Sequence, residues 1–163
     1  MKTIKAEPIT KEAFRLYGEF YNMYEPEGFA LTGPIHDFYP DRVLGEFGQS
    51  MGFSPLIIHK PEKMIVDSTE YHSHSWEMVI PLNDDMVIHV AEPTGYDPQL
   101  DRIKAFIVPK GTLIKYNAGV WHKAPMPIHE DTLYTMAVLG QCAYIHDCRV
   151  YELTEEEQME IVL

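Results

Sequence analysis

The chain has 163 residues, of which 13 are Lys or Arg and 25 are Asp or Glu, so its formal net charge at pH 7 is −12. This acidity argues against nucleic-acid phosphates and anionic membranes as partners. The length suffices for one domain over residues 1–163 whose core needs no disulfide, and we predict that arrangement.

The first predicted element is a short helix from Thr10 to Phe20. Thr10 can cap it, and Ala13, Leu16, Tyr17 and Phe20 recur at the three-to-four-residue spacing of one helical face. Proline and glycine then recur through residues 21–55, which predicts short strands and loops there.

From residue 56 onward the sequence predicts short strands at even spacing, separated by turn residues. Such spacing is typical of a β barrel or a β sandwich. The predicted strands are 56–59, 64–67, 76–82, 86–91, 105–108, 112–116, 132–139, 143–145 and 149–153. Thr154 followed by three glutamates predicts a short carboxy-terminal helix, because acidic residues favour the first turn.

The amino terminus and the cysteines indicate the compartment. MKTIKAEPIT lacks the apolar core of a signal peptide, and no apolar run approaches the roughly 20 residues of a membrane span. Cys142 and Cys148 are the only cysteines, a pattern more typical of reduced thiols than of a disulfide. We therefore expect a cytoplasmic protein.

Residues 70–77, EYHSHSWE, are either a metal site or a polar patch where a strand turns. His72 and His74 would share one side of an extended chain, and two imidazoles at that spacing can bind one ion. In an unbroken strand Glu70 would share their face, whereas a bend after His74 would bring Glu77 toward the ion. Both carboxylates are therefore possible ligands. We prefer Glu77, with Glu70 supporting the site or acting as an acid or base.

Residues 111–122, GTLIKYNAGVWH, resemble the second conserved motif of the cupin superfamily. Gly111, Gly119 and His122 stand at its glycines and histidine, and Asn117 replaces its proline. EYHSHSWE correspondingly resembles the first cupin motif. The resemblance implies a mainly β jelly-roll barrel, a double-stranded β-helix, with short terminal helices. It also implies that a divalent ion, such as Zn, Ni, Mn or Fe, is bound by His72, His74, Glu77 and His122.

Nearly the whole chain resembles the ureidoglycolate lyase family within the cupins. The resemblance runs through EPITKEAFRLYG, FYPDRVLGEF, IKAFIVPKG and YNAGVWH. It implies a homodimeric enzyme that cleaves ureidoglycolate, a small anionic substrate, into glyoxylate and urea in the degradation of purines through allantoin. Family members usually carry a non-ligating residue at the position of His74 and a glutamine at that of Glu77, so this chain departs from its family there.

Several further residues receive roles from this resemblance. Glu70 or Tyr116 would supply a proton to the leaving nitrogen. Lys104, where the family has an arginine, would neutralise the substrate carboxylate. Asn117, where the family often has a histidine, and Trp121 would contact the substrate.

Two other functions fit the same residues. The first is another metal-dependent cupin isomerase, epimerase or lyase that acts on a sugar acid or hydroxy acid. The second is a non-catalytic metabolite-binding cupin, in which an ion is absent or only structural.

Overall fold

The computed structural model describes residues 1–46 and 48–163, and it consists mainly of β-strands. The strands are β1 Lys2–Pro8, β2 Gly18–Asn22, β3 Leu31–Gly33, β4 His36–Phe38, β5 Met51–His59, β6 Ile65–Val66, β7 Ser68–Tyr71, β8 Glu77–Pro81, β9 Met86–Ala91, β10 Lys104–Val108, β11 Thr112–Tyr116, β12 Trp121–His122, β13 Met126–Pro127, β14 Thr132–Gly140, β15 Arg149–Glu152 and β16 Met159–Val162. The helices are α1 Lys11–Phe14 and α2 Ala143–His146, with one 3₁₀ turn at Leu100–Arg102.

The strands form two main sheets. The larger sheet has the order β15-β7-β12-β9-β10-β1-β16-β6, with β13 also paired to β9. The smaller sheet has the order β2-β11-β8-β14-β5, and β3 and β4 form a separate hairpin. This two-sheet arrangement confirms the predicted mainly β, cupin-type barrel.

The core between the two sheets is apolar and rich in aromatic residues. Phe14 of α1 is completely buried, and its ring packs edge-on against Phe106 with 5.8 Å between the ring centroids. The other buried members of this cluster are Tyr17, Val79, Met86, Ile88, Val90, Val108, Ile114, Tyr116, Val120, Leu133 and Ala137.

A second apolar cluster lies on the opposite face of the larger sheet. Strand β9 contributes to both clusters: Ile88 and Val90 belong to the first, whereas Val87 and Ala91 belong to the second. Successive side chains of a strand point to opposite faces, so β9, which is buried on both faces, is apolar at every position except His89.

Each of the two motifs spans a crossing between the sheets. β7 belongs to the larger sheet and β8 to the smaller one, and the chain crosses back between β11 and β12. β8 pairs with β11, and β7 pairs with β12. The two crossings therefore lie side by side at one end of the barrel.

The terminal elements differ from the sequence predictions. The amino-terminal helix is only one turn, because Gly18–Asn22 pairs with β11 as a strand. The predicted carboxy-terminal helix is wrong. Residues 155–157 form a turn in which the Thr154 hydroxyl donates to Glu157, and the chain then pairs with β1 as β16.

One predicted strand is also wrong, because residues 143–145 lie in helix α2. Cys142 and Cys148, which flank this helix, are both free thiols. Among the described residues, no helix has the length and apolarity that crossing a bilayer requires.

Candidate metal centre

His72, Glu77 and His122 meet where the two crossings lie side by side. The chain bends at Ser73 and His74 after leaving β7, earlier than the bend predicted between His74 and Trp76, and Glu77 opens β8. His122 in β12 is paired with Glu70 in β7, directly beside this corner. Side chains from both sheets thus supply potential ligand atoms to the same site.

The three side chains are in direct contact. Glu77 Oε2 lies 3.1 Å from His72 Nε2 and 3.2 Å from His122 Nε2. The side chains of His72 and Glu77 are only 3% and 12% exposed. The carboxylate therefore depends on these two imidazoles, rather than on bulk water, for its stabilisation.

Backbone carbonyls set the protonation of both rings. His72 Nδ1 lies 2.7 Å from the carbonyl oxygen of Asp147, and His122 Nδ1 lies 2.9 Å from that of Val120. A carbonyl only accepts hydrogen bonds, so each Nδ1 carries the hydrogen. When the rings are neutral, both Nε2 lone pairs face the carboxylate of Glu77. Only a positive charge, either protons or a cation, makes this arrangement favourable.

The pKa shifts of Glu77 and His72 agree with a need for positive charge in this group. Burial opposes the charged form of Glu77, but hydrogen bonds from His122 and His72 outweigh it and lower the pKa to about 2. Burial also opposes the imidazolium of His72, yet Glu77 and the Asp147 carbonyl outweigh it and raise the pKa. Glu77 is thus a carboxylate across the physiological range.

The spacing of the donors fits a divalent metal. An ion with bonds of about 2.1 Å to nitrogen and oxygen holds neighbouring donors about 3.0–3.4 Å apart, in octahedral or tetrahedral geometry. The two contacts at Glu77 fall within this range, and all three donor atoms lie within 4.8 Å of one another. Two imidazoles and one carboxylate suit Zn, Fe, Mn or Ni.

His74, the fourth predicted ligand, is not brought to this group. Its side chain is 87% exposed, and its Nδ1 lies 3.3 Å from Asp147 Oδ1. The bend that turns Glu77 inward also turns His74 outward. Sequence spacing could not separate these outcomes, because His72 and His74 share a face only while the strand continues.

Asp147 was missed by the sequence reasoning although it orients the corner. Its carboxylate accepts the backbone N–H groups of Ser73 at 2.9 Å and His74 at 2.7 Å, and its carbonyl binds His72. Burial opposes its ionisation, but hydrogen bonds from the Ser73 hydroxyl, from the backbone and side chain of His74 and from the Ser73 backbone outweigh it and lower its pKa to about 2. No sequence signal links Asp147 to a motif more than 70 residues away.

Glu70 and Cys148 lie on the other side of His72. The Cys148 thiol donates to Glu70 Oε2 at 3.4 Å, and these two groups and His72 lie within 4.8 Å of one another. Burial, together with the charge of Glu70, raises the pKa of Cys148 to about 12, so the thiol is protonated. Glu70 is thus close to His72.

Tyr116 lies inside the barrel beside the group formed by His72, Glu77 and His122. Its ring stacks on His122 with 4.4 Å between centroids, and it is the cross-strand neighbour of Glu77. Among residues 1–46 and 48–163 its buried hydroxyl has no hydrogen-bond partner. Burial and the charge of Glu77 raise its pKa well above the usual value, so the phenol is neutral.

The three predicted substrate contacts have different positions. Lys104 is exposed and lies in one cross-strand row with Val90 and His122, about 10 Å from His122 by strand spacing. Asn117 is exposed in the turn before β12. Trp121 is not brought to the site, because its neighbour His122 takes the inner face and Trp121 packs in the second cluster.

Two large clefts lie elsewhere. Cavities of about 730 and 760 Å³ adjoin Arg42, and neither is lined by any of the predicted site residues. The chemistry of the donors, rather than cavity size, therefore locates the candidate site.

Two facing β-sheets that carry a buried pair of histidines and a glutamate at their junction define a cupin-type protein. The family model described as ureidoglycolate lyase matches residues 49–160. The chain therefore belongs to the ureidoglycolate lyase family, and it is an enzyme of the lyase class.

Named relatives agree with this family. The chain is 25% identical to a ureidoglycolate lyase of Pseudomonas paraeruginosa, over 98% of this chain and 95% of the relative. It is 29% identical to one of Burkholderia mallei, over 75% and 74% of the two chains. Among solved structures, vicilin from Corylus avellana aligns with a TM-score of 0.42 and 14% identity, over 64% of this chain and 27% of vicilin.

Proposed function

We propose that this enzyme is a metal-dependent ureidoglycolate lyase, with glyoxylate and urea as its products. The observation that carries the proposal is the carboxylate of Glu77 between two imidazole Nε2 atoms whose Nδ1 atoms are held by carbonyls. The names of the relatives supply the substrate. His72, Glu77 and His122 would hold the ion.

Ureidoglycolate carries a hydroxyl next to a carboxylate, and this pair suits a cation with open positions. When bound, a divalent ion would lower the pKa of the substrate hydroxyl. The residues around it then have to remove one proton, return it to the leaving nitrogen and neutralise the substrate carboxylate.

Glu70 and Tyr116 are the groups placed to move the proton. Glu70 lies beside His72 and can accept the proton of the substrate hydroxyl. As the carbonyl forms, the carbon–nitrogen bond breaks and the nitrogen takes up a proton from Glu70 or from the neutral phenol of Tyr116. If Glu70 is the donor, the proton that leaves oxygen ends on urea. If Tyr116 is the donor, Glu70 passes its proton to the phenolate, so both routes balance and restore the enzyme.

Lys104 lies at the edge of the same inner face. A cross-strand row shares one face of a sheet, so Lys104 and His122 face the same side. Its ammonium group would neutralise the substrate carboxylate as a point charge, whereas an arginine would hold it with two hydrogen bonds.

The test measures glyoxylate release from ureidoglycolate by protein stripped of metal and then reloaded with Mn, Ni, Zn or Fe. We expect activity only after reloading, and we expect Glu77→Gln to abolish it. Glu62→Gln, the same change at an exposed site, is the matched control. Equal activity in the stripped and reloaded protein would refute metal dependence, and turnover of another hydroxy acid but not ureidoglycolate would refute the substrate.

We also propose a cytoplasmic homodimer. The outer face of β5 and β14 is apolar but open, with Phe53 67%, Ile57 51% and Tyr134 50% exposed. β5 is the last strand of its sheet, and an apolar strip along an edge strand suits a two-fold interface between copies. Light scattering should give a dimer that Ile57→Asp converts to a monomer. A wild-type monomer at micromolar concentration would contradict it.

A further inference from the structure

Cys148 has no role in the proposed reaction, yet it lies beside two potential metal ligands. Its Sγ is 3.4 Å from Glu70 Oε2, and both atoms lie within 4.8 Å of a ring nitrogen of His72. His72 is therefore shared by two groups of donors. One group adds Glu77 and His122, and the other adds Glu70 and Cys148.

The second group has a geometry that suits a thiophilic cation. A tetrahedral ion with bonds of about 2.3 Å to sulfur and about 2.1 Å to oxygen holds these two atoms about 3.6 Å apart. The observed separation of Sγ and Oε2 is 3.4 Å. A thiolate, an imidazole and a carboxylate form a donor set that favours Zn²⁺ or Cd²⁺ over harder ions such as Mn²⁺.

We propose that Glu70, His72 and Cys148 form a second cation position, which takes thiophilic ions and competes with the position formed by His72, Glu77 and His122. The two positions exclude one another. His72 Nδ1 is bound to the Asp147 carbonyl, so only Nε2 has a lone pair to give. On binding, the S–H bond of Cys148 breaks, its sulfur bonds the ion and the proton passes to solvent.

The competition has a consequence for activity that rests on the proposed function. An ion in the second position occupies Glu70, which the reaction needs for proton transfer, and it draws His72 away from Glu77. Thiophilic ions therefore inhibit enzyme that carries a harder ion, and the inhibition depends on Cys148.

The first test follows the ultraviolet charge-transfer absorption of a cadmium–thiolate bond while Cd²⁺ is added to metal-free protein. We expect the band in wild type, its loss in Cys148→Ser and its retention in Cys142→Ser. Cys142 is the matched control, since it is also a partly buried free thiol. A band that survives Cys148→Ser would overturn the proposal.

Glu77→Gln separates two positions from a single joint centre. The band should remain in this variant, because the second position does not use Glu77. Loss of both the band and Cd²⁺ binding in Glu77→Gln would overturn the proposal, since all the donors would then serve one ion. Circular dichroism of each variant confirms that the fold is retained.

The last test measures displacement of Mn²⁺ by Cd²⁺ with electron paramagnetic resonance. Loss of even an indirect partner weakens metal binding 10–100-fold, so Cys148→Ser should raise the Cd²⁺ needed for displacement by at least about tenfold. An unchanged displacement curve would overturn the second position. Failure of the proposed function would show differently, as bound Mn²⁺ and a normal band without cleavage of ureidoglycolate.

Discussion

Two buried carboxylates of this protein, Asp84 and Glu77, have very different partners. Asp84 is 4% exposed, and its Oδ2 accepts backbone N–H groups from Ile128, His129 and Glu130 at 2.8–3.0 Å. Glu77 is bound instead by two imidazole nitrogens.

Comparing their hydrogen-bond partners separates a structural carboxylate from a functional one. Burial opposes ionisation of Asp84 too, and backbone hydrogen bonds outweigh it and lower its pKa, so the direction of the shift is the same at both sites. Backbone N–H groups keep their protons, whereas an imidazole can exchange its proton for a metal. The donors, and not the pKa, therefore distinguish Glu77.

The largest effect is expected on stability from Asp84→Ala. This change removes the carboxylate that accepts the backbone N–H groups of Ile128, His129 and Glu130, and we expect the free energy of unfolding to fall by about 3 kcal/mol. For a domain of this size the melting temperature should fall by about 6–12 °C. Asp131→Ala, in the same region but exposed, is the control. A loss of less than about 1 kcal/mol would mean that Asp84 does not hold this loop.

Glu77→Gln should lower metal affinity strongly but the stability of the metal-free protein only weakly. We expect metal affinity to fall at least about 100-fold, or about 2.7 kcal/mol, because the amide removes the only charged donor. The melting temperature of the metal-free protein should change much less than in Asp84→Ala. Calorimetric titration with Mn²⁺ and a thermal melt measure both, and an unchanged affinity would point to Glu70 as the carboxylate ligand.

The pH dependence of metal binding sharpens the same contrast. The pKa of His72 is raised in the metal-free protein, so its Nε2 remains protonated to a higher pH than in a free histidine. Affinity should therefore rise with pH through this pKa and fall about tenfold per unit below it. Glu77, with a pKa of about 2, stays ionised throughout. Titrations between about pH 5 and pH 8 check the slope, and a flat profile would exclude His72 as a ligand.

The smallest effect is expected from His74→Ala. Its side chain is 87% exposed and lies outside the group formed by His72, Glu77 and His122, so metal affinity should change less than about twofold. His72→Ala, two residues away, is the informative comparison and should abolish binding. A large loss in His74→Ala would mean that the corner closes over the ion when metal is present.

Much of the strand content could be predicted because turn residues separate short apolar runs. The predicted ranges 86–91 and 112–116 coincide with β9 and β11. The predictions for the two termini were less successful, because strand pairing in the folded chain overrides local helix propensity. Thr154 and Glu157 make the hydrogen bonds of a helix start, but Met159–Val162 pairs with β1 as a strand, so no helix follows the turn.

The class of protein and most of the candidate ligands were readable from the motifs, because motif spacing indicates which residue types lie near a strand end. It could identify His72, Glu77 and His122 as metal-ligand types and Glu70 as their neighbour. Three features are visible only in the folded chain: His74 faces solvent, Asp147 orients His72, and Cys148 adjoins Glu70. These contacts join residues more than 70 positions apart, or depend on a bend between sheets, and local spacing carries no information about either.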